Sequence, residues 1–397
     1  MIDAFVRWTA TKALPVWFEQ GFDRNSGQFH ERLSAGGAPL PVPYRAMVQA
    51  RQIFVYASAA SLGWFDGGEA AIHAMDRLRR VYAKSEGQGT SIAYSADAGT
   101  GAIRSSVRDA YTHAFVLFAT AHLHRLTGAP ELLDFADEIT RFIEAELADP
   151  QHGGLVDALP LPANGAPKRQ NPHMHLLEAY LALEEAAPGR GYLGRAQDLV
   201  KLFKTRLFHA GHGVLLEHFA ANWSEHPDPA KARVFEPGHH YEWIWLLHHV
   251  ERLSGEALHE VRAALHSPAA HYGHSPRGLI FDEVDVDGTP AQASHRLWPL
   301  TEAIKAAGVQ HLQGDPAARG FADRSAKLLT THFLDEPFIG GWIDHRHPDL
   351  SPRVDYVPAS SLYHLFLAAT EAMAAFAEER APEKPADHPL DGVTLEG

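Results

Sequence analysis

The sequence predicts an all-α fold in which six helical hairpins close into a toroid. Apolar residues recur at three- and four-residue spacing in about twelve segments, as they do in helices with one buried face. The links between these segments are alternately short and long, and short links join antiparallel helices. All long links should therefore emerge at one end of the toroid, where loops commonly carry function.

The predicted helices follow one another along nearly the whole chain. Residues 130–147 show the pattern well, because apolar residues such as Phe135 lie on one side and charged residues such as Arg141 on the other. Gly128 and Gly255 mark helix ends. Helices are expected at residues 1–19, 44–62, 66–84, 106–127, 130–147, 171–187, 191–209, 239–254, 256–267, 294–312, 316–334 and 359–380.

The long links contain short stretches with the composition of β-strands. Residues 213–219, 279–282 and 341–344 are examples, and they are typical of short hairpins. Because the repeat continues through the chain, residues 1–380 are expected to form one catalytic barrel domain. Residues 381–397 contain three prolines and are expected to form a flexible C-terminal tail.

Composition excludes several classes of function. The chain of 397 residues has 35 Lys plus Arg against 49 Asp plus Glu, a net charge of −14, whereas nucleic acids and anionic membranes favour basic partners. It has no cysteine, which excludes disulfides, thiol nucleophiles and cysteine-ligated metals. It also has neither a membrane-length apolar run nor the apolar stretch of a signal peptide. A cytoplasmic monomer or homodimer is expected, with no nucleic-acid or membrane partner.

One polar residue stands at a similar position on each even-numbered predicted helix, among apolar neighbours. The intervals between these residues are 62, 62, 64, 63 and 62. A single polar residue in an apolar helix is more often a satisfied core group, but six at equivalent positions in a toroid should converge on its axis. The six residues are Arg51, His113, His175, His239, Glu302 and His364.

Two of these histidines have a carboxylate three residues later, which places both groups on one face of a helix. The pairs are His175 with Glu178 and His239 with Glu242. Such a carboxylate can orient an imidazole or bind a hydroxyl group. Histidines and carboxylates on facing helices also bind iron or manganese, but that motif runs Glu-x-x-His and the order here is reversed. A carboxylate that orients the imidazole or binds a hydroxyl group is favoured over a metal site, and no other cofactor is indicated.

Six motifs follow in order along nearly the whole chain. They are Gln49-Ala-Arg51, Asn171-Pro-His-Met-His-Leu-Leu-Glu-Ala179, Glu217-His-Phe219 with Trp223, Pro237-Gly-His-His-Tyr-Glu-Trp243, Trp298-Pro299 with Glu302-Ala303, and Tyr363-His364. In this order they resemble the N-acylglucosamine 2-epimerase superfamily, and above all its mannose isomerase and sulfoquinovose isomerase branch. The resemblance implies an (α/α)6 barrel, with short β-hairpins in the long loops at one end.

The resemblance also implies metal-free proton transfer beside the carbonyl group of a monosaccharide. His364 and His239 would then form the acid/base pair, and Arg51 would contact sugar oxygens. The other residues expected at the substrate are His175, Glu178, Glu242, Tyr111, His113, Trp298, Glu302 and Arg233.

The expected reaction is aldose–ketose isomerisation through a cis-enediolate. The C2 proton of an aldose is weakly acidic only in the open-chain form, so the enzyme must open the ring before it removes this proton. Histidine suits both the acid and the base role because its pKa lies near working pH. An isomerase returns the proton to C1, whereas a 2-epimerase returns it to the opposite face of C2. Two histidines permit either outcome.

Trp243, which follows the motif glutamate, and the Glu217 motif resemble the isomerase branch. No cluster of phosphate-binding cations is evident along the sequence, which favours an unphosphorylated sugar. Interconversion of D-mannose and D-fructose is therefore the first prediction. The alternative is a sugar 2-epimerase of the N-acylglucosamine, mannose/glucose or cellobiose type. A glycoside hydrolase with paired carboxylates, and a sugar-binding scaffold without activity, are further alternatives.

Overall fold

Helices dominate the residues that the computed structural model describes, which are 1–162 and 166–377. The helices are α1 (Ile2–Trp8), α2 (Leu14–Glu19), α3 (Ala46–Ser61), α4 (Gly68–Tyr82), α5 (Ala110–Thr127), α6 (Pro130–Phe142), α7 (Asn171–Ala186), α8 (Tyr192–Leu202), α9 (Pro229–Ala232), α10 (Pro237–Ser254), α11 (His259–Tyr272), α12 (Trp298–Leu312), α13 (Ala318–His332) and α14 (Leu362–Phe376). A π-helical turn, Thr9–Ala13, joins α1 to α2, and similar turns extend α6 and α8.

Six helices that are buried on nearly every face form an inner ring, in which each contacts the next and α14 contacts α3. They are α3, α5, α7, α10, α12 and α14. Five of them form a hairpin with the amphipathic helix that follows, and the sixth, α14, packs against α1 from the start of the chain. The outer helix α6 buries Phe135 and Ile139 and exposes Asp134 and Arg141, as the apolar periodicity predicts. The predicted (α/α)6 barrel is confirmed.

Short strands occupy the long loops at one end of the barrel, as the sequence predicts. They are β1 (Phe22–Asp23), β2 (Gln28–Phe29), β3 (Arg32–Ser34), β4 (Tyr44–Arg45), β5 (Ala83–Glu86), β6 (Gly89–Ile92), β7 (Ser95–Ala96), β8 (Ile103–Ser105), β9 (Arg108–Asp109), β10 (Ala158–Leu159), β11 (Lys168–Arg169), β12 (Phe208–His209), β13 (Val214–Leu215), β14 (His218–Phe219), β15 (Val234–Phe235), β16 (Glu283–Asp285), β17 (Pro290–Gln292), β18 (His295–Arg296), β19 (His345–Arg346) and β20 (Tyr356–Pro358).

Antiparallel strand pairs tie each long loop to its neighbours. The pairs include β9 with β10, β11 with β14, β15 with β16 and β18 with β19. Strand β20 of the last loop pairs with β3 of the first loop, with Val357 opposite Leu33. The strand pairs therefore close into a ring around the end of the barrel at which all six inner helices begin. We call this end the mouth.

The mouth strands also explain where the inner helices begin. The sequence places the start of α5 at residue 106, but Arg108 and Asp109 form a strand instead. The side chain of Asp109 then accepts the backbone N–H of Thr112 at 2.6 Å and caps the helix. Helix α5 ends at Gly128 in the left-handed conformation, with φ of 69°, as its sequence indicates. The predicted tail, 381–397, lies outside the described residues.

Three buried histidines hold mouth strands against inner helices in the same way. Each Nδ1–H donates to the carbonyl group four residues earlier, at 2.6 to 3.1 Å, and each Nε2 accepts a backbone N–H from a preceding loop. We call these residues the latch histidines. They are His113, His173 and His240, and their loop partners are Ile92, Leu155 and Leu215. The sequence places His113 at the substrate, but both its ring nitrogens are occupied by backbone groups.

We expect the latch histidines to make the free energy of unfolding fall as the pH is lowered from about 6.5 to about 4. Burial lowers the pKa of each one to about 4 in the folded protein. Between these pH values the unfolded chain binds the three protons and the folded chain does not, so acid favours unfolding. Within this window each latch histidine lowers the free energy of unfolding by about 1.4 kcal/mol for each pH unit of acidification. Above the window it causes no change with pH.

Urea denaturation of the wild type and of His113→Asn, at several pH values from 4 to 8, measures this contribution. The variant should be less stable at pH 8, but its stability should depend less steeply on pH between 4 and 6.5. Parallel pH profiles for the two proteins would contradict this role for His113.

No helix within residues 1–162 and 166–377 combines the length and apolar character that crossing a bilayer requires.

Candidate active site

A cavity of about 190 Å³ lies inside the inner ring, at its mouth end. At about 30 Å³ per water molecule it holds about six waters, which suits one monosaccharide. All six inner helices contribute to its wall. The wall residues are Arg51, Tyr111, Asn171, His175, His239, Glu242, Trp298 and His364 from these helices, with Glu236, Arg296, Asp344, Ser360 and Ser361 from the segments that precede them.

Three histidines of the wall share one arrangement. In each, Nδ1 lies 2.9 Å from a buried carboxylate oxygen, and the pairs are His239 with Glu217, His364 with Glu302 and His175 with Glu178. An ionised carboxylate only accepts hydrogen bonds, so Nδ1 carries a proton in each pair. The pairing leaves each Nε2 for a ligand or, at His239, for the side chain of Asn171 at 3.2 Å.

Two histidines of the wall, His239 and His364, differ in charge. Burial alone lowers the pKa of His239, but the carboxylates of Glu217 and Glu236 outweigh it and raise the pKa to about 10. Burial, together with the positive charges of Arg51 and Lys305, holds the pKa of His364 well below its usual value. At neutral pH His239 therefore carries a positive charge and His364 is neutral. The ring of Trp298 lies between them, with centroids 4.9 Å from His239 and 5.6 Å from His364.

Arg51 places a fixed positive charge in the wall. Its guanidinium donates to Tyr111 Oη at 2.6 Å and to the Ser360 carbonyl at 3.0 Å, and it lies 4.1 Å from the centre of the Phe115 ring. The side chain is only 4% exposed, and its Nε has no hydrogen-bond partner among the described residues. The inner helices also turn their N-terminal ends to this cavity, where helix dipoles are positive. Both features favour negative charge on a ligand.

Behind the wall, Lys305 carries a positive charge among carboxylates. Its Nζ is fully buried, 2.6 Å from Glu302 and 4.0 Å from the centre of the Trp245 ring. Burial raises the pKa of Glu302, and Lys305 opposes that rise. Burial and the charge of Glu302 raise the pKa of Glu242 well above its usual value. Within the part of the chain that the structure describes, both carboxyl oxygens of Glu242 lack a hydrogen-bond partner. Glu242 is therefore a neutral acid that can donate a hydrogen bond into the cavity.

The structure brings most of the residues predicted at the substrate together. Arg51, Tyr111, His175, His239, Glu242, Trp298 and His364 line the cavity, while Glu178 and Glu302 stand directly behind His175 and His364. Two predicted residues lie elsewhere. His113 is a latch histidine. Arg233 is about half exposed and forms an ion pair with Asp285 at 2.7 Å, since strand β15 pairs with β16 beside the mouth.

Sequence reasoning missed several residues of the site. Glu217 appears only as part of a motif, although it fixes His239. Gln170 donates to Glu217 at 3.0 Å and accepts the Trp243 indole N–H at 2.9 Å, which holds that carboxylate in place. Lys305 carries a usable signal, because it lies three residues after Glu302 on an apolar helix. Asn171, Arg296 and Asp344 carry no comparable pattern.

Three groups of histidine and carboxylate atoms within the described residues lie close enough to share a metal ion. They are His175 with Glu178 and Glu242, Glu217 with Glu236 and His239, and Glu242 with Glu302 and His364. Within each group, however, a carboxylate already accepts a hydrogen bond from the histidine. In the third group the ammonium of Lys305 also opposes a second cation. The carboxylates of these groups are therefore better suited to accepting histidine N–H groups than to binding a metal ion.

Comparison with known proteins adds to this geometry. The family model for N-acylglucosamine 2-epimerase matches residues 27–368. The chain is 34% identical over 376 residues to the mannose-6-phosphate isomerase of Rhizobium meliloti (strain 1021), covering 92% of this chain and 94% of that protein. It is 28% identical to the D-mannose isomerase of Thermobifida fusca, covering 87% and 90%. A crystal structure of a D-mannose isomerase shares the fold, with a TM-score of 0.83 at 21% identity and coverage of 94% and 97%.

Proposed function

We propose that this chain, which belongs to the N-acylglucosamine 2-epimerase family, interconverts D-mannose and D-fructose by moving a proton between C2 and C1. The family and its named members make it a sugar isomerase or epimerase. The observation that carries the finer proposal is the opposite protonation of two histidines in one monosaccharide-sized cavity. His239 is a charged acid and His364 a neutral base.

Ring opening is the first step of the proposed reaction. His239 donates a proton to the ring oxygen as the bond from C1 to that oxygen breaks. It then takes up the proton that the C1 hydroxyl group loses as the carbonyl forms. The ion pair with Glu217 favours the charged form of His239, to which the second transfer returns it. Such a positioned acid commonly contributes about 10²–10⁴-fold to a rate.

Proton transfer between the carbons follows. His364 Nε2 removes the C2 proton, and negative charge develops on the O1 atom of the enediolate. Arg51 and the positive helix ends stabilise that charge without reorganising. His239 protonates O1 and accepts the proton of the O2 hydroxyl, and His364 returns its proton to C1. The product is the ketose, and both histidines regain their starting states.

A 2-epimerase remains the second candidate, because the matching family model bears that name. Epimerisation needs a proton donor on the opposite face of C2. His175 lines the same cavity, but burial lowers its pKa to about 4 despite the hydrogen bond to Glu178. It is therefore a weak donor at neutral pH, which supports isomerisation over epimerisation.

The relatives' names divide between free mannose and mannose 6-phosphate. The transfer between C2 and C1 is the same chemistry for both sugars. We propose free mannose, because it fills a cavity of about 190 Å³ without a further group.

Incubation of the enzyme with D-mannose in D2O, followed by proton NMR, tests this proposal. We expect fructose to form, with deuterium at C1 and loss of the C2 signal. The rate should be the same with EDTA present, because the mechanism uses only protein groups. Glucose as the first product would support the epimerase. Loss of activity with EDTA, restored by one metal, would contradict metal-free transfer, and release of monosaccharide from a disaccharide would indicate a hydrolase.

A further inference from the structure

The segments that precede the inner helices form the mouth side of the catalytic cavity. Their wall residues are Glu236, Arg296, Asp344, Ser360 and Ser361. A second cavity of about 690 Å³ adjoins here and shares Arg296, Asp344 and Ser360 as wall residues. The shared residues therefore stand at the open side of the catalytic cavity, whereas His239 and His364 lie in the first turns of α10 and α14.

This arrangement sets the direction in which a sugar binds. A sugar whose carbonyl end lies between His239 and His364 turns its other end toward the mouth. In the pyranose form of a hexose O5 closes the ring, so the hydroxyl groups on C4 and C6 are free at that end both before and after ring opening. A residue on the mouth side of the wall is therefore placed to recognise one of these two groups.

Asp344 offers a hydrogen-bond acceptor at this place. Its Oδ1 accepts the hydroxyl group of Ser361, and its backbone carbonyl accepts the Leu297 N–H at 3.1 Å. These bonds attach Asp344 to the segments that begin α14 and α12, so its position on the wall is fixed. Within residues 1–162 and 166–377, its Oδ2 has no hydrogen-bond partner and no cation within the 4.0 Å of an ion pair.

The groups around Asp344 suit recognition rather than proton transfer. Asp344 forms no hydrogen bond with any histidine of the described residues. Arg296 lies near it because β18 pairs with β19, with Arg296 opposite His345. Burial raises the pKa of Asp344, while the hydroxyl group of Ser361 and the positive charge of Arg296 oppose that rise. A carboxylate oxygen on a cavity wall binds a sugar hydroxyl group well, because hydrogen bonds to charged acceptors are the stronger ones.

We propose that Asp344 determines which sugars the cavity accepts, by taking a hydrogen bond at Oδ2 from the hydroxyl group on C4 or C6 of the hexose. This inference rests on the proposed function, which puts C1 and C2 between His239 and His364. Asp344 is then a substrate-binding residue that moves no proton. It favours hexoses in which that hydroxyl group is free, because a substituent on the oxygen removes the donor.

Kinetics with D-mannose, 4-deoxy-D-mannose and 6-deoxy-D-mannose test this role. Asp344→Asn can keep an oxygen toward Ser361 and place an NH2 group, which cannot accept a hydrogen bond, at the position of Oδ2. We expect it to lower kcat/KM for mannose at least about tenfold, because a hydrogen bond to a charged group is lost. In the wild type one deoxy sugar should be at least about tenfold slower than mannose. That sugar should be no slower in Asp344→Asn, because the bond is already missing.

Asp349→Asn is the matched control. Asp349 is an exposed residue of the loop between α13 and α14, accepts the hydroxyl group of Ser351 at 2.6 Å and lines neither cavity. The variant should keep the wild-type rates on all three sugars. Asp344→Ala, which removes both carboxyl oxygens, replaces Asp344→Asn if that variant does not fold.

Two results would overturn the proposal. If the Asp344 variant slowed all three sugars by the same factor, Asp344 would act only through its bond to Ser361. If the wild type converted both deoxy sugars as fast as mannose, neither hydroxyl group would be recognised, and this measurement needs no variant.

A failure of the proposed function can be distinguished from a failure of this role for Asp344. If glucose forms in place of fructose, the chain is an epimerase, and the same comparison of the three sugars is made on that reaction. If no sugar reacts, calorimetry with mannose and the two deoxy sugars tests Asp344 by binding alone. Weaker binding of mannose in Asp344→Asn, with unchanged binding of one deoxy sugar, would support the proposal. Equal losses for all three sugars, or no binding of mannose to the wild type, would overturn it.

Discussion

His364→Asn is expected to abolish deuterium exchange at C2 of mannose and to lower kcat/KM by about 10²–10⁴-fold. Burial and nearby positive charges lower the pKa of His364, and Glu302 accepts its Nδ1–H at 2.9 Å, so that Nε2 is left to take the C2 proton. Asparagine fills part of the site and can keep a hydrogen bond to Glu302, but it cannot accept a proton at neutral pH. Proton NMR of mannose in D2O measures the exchange directly.

Two further variants make this experiment specific. His239→Asn should also slow turnover strongly, but it should retain some C2 exchange, because a small amount of open-chain sugar forms without the enzyme. His347→Asn is the matched control, since His347 is an exposed histidine of a mouth loop. It should behave as the wild type. If His364→Asn exchanged deuterium at C2 at the wild-type rate, another group would have to remove the proton, and His175 would be the first candidate.

Lys305→Met is expected to destabilise the protein by about 3–5 kcal/mol and to lower kcat/KM by at least about tenfold. Removal of Lys305 leaves the fully buried carboxylate of Glu302 without its ion-pair partner, and uncompensated buried charges carry costs of this size. The pKa of Glu302 would also rise further without Lys305. The hydrogen bond from the Nδ1–H of His364 to Glu302 would weaken, so the imidazole of His364 would lose its orientation.

Urea denaturation and pH profiles separate the two roles of Lys305. The acid limb of kcat/KM should move to higher pH in Lys305→Met, because the loss of a nearby positive charge raises the pKa of Glu302 further. Adding Glu302→Gln to Lys305→Met removes the buried charge and should restore much of the stability without restoring activity. An unchanged pH profile in Lys305→Met would limit the lysine to a packing role.

Apolar periodicity predicted about twelve helices and their pairing in a ring, because burial of one face of a helix imposes a regular spacing of apolar residues. The described residues contain fourteen helices, since Thr9–Ala13 separates α1 from α2 and the four-residue α9 lies in a long loop. Apolar periodicity could not predict the partners that fix the reactive groups. Glu217 precedes His239 by 22 residues and reaches it because its backbone N–H donates to the carbonyl of Val234, just before α10, at 3.2 Å. Arg32 and Arg296 line one cavity at the mouth, where β3 pairs with β20 and β18 with β19. Such contacts depend on loop pairing, which leaves no regular spacing along the chain.

The interval of about 62 residues identified the correct helices but not always the correct residue. A helix turns about 100° per residue, so a shift of one or two positions moves a side chain from the cavity to the surrounding loops. His175 and His239 face the cavity, while their neighbours His173 and His240 are latch histidines. His113 makes the same contacts as the other two latch histidines. On its helix, Tyr111 is the residue that lines the cavity wall.

The pairing of β20 with β3, and of α14 with α1, has a consequence for synthesis of the protein. Arg51 acquires its contact with Ser360 from a residue 309 positions later, and His364 lies on the last inner helix. A growing polypeptide on the ribosome therefore has no complete sugar pocket until nearly the whole chain has emerged. Until then the apolar flank of α3 that will meet α14 faces solvent, and this exposed edge is where a chaperone would bind.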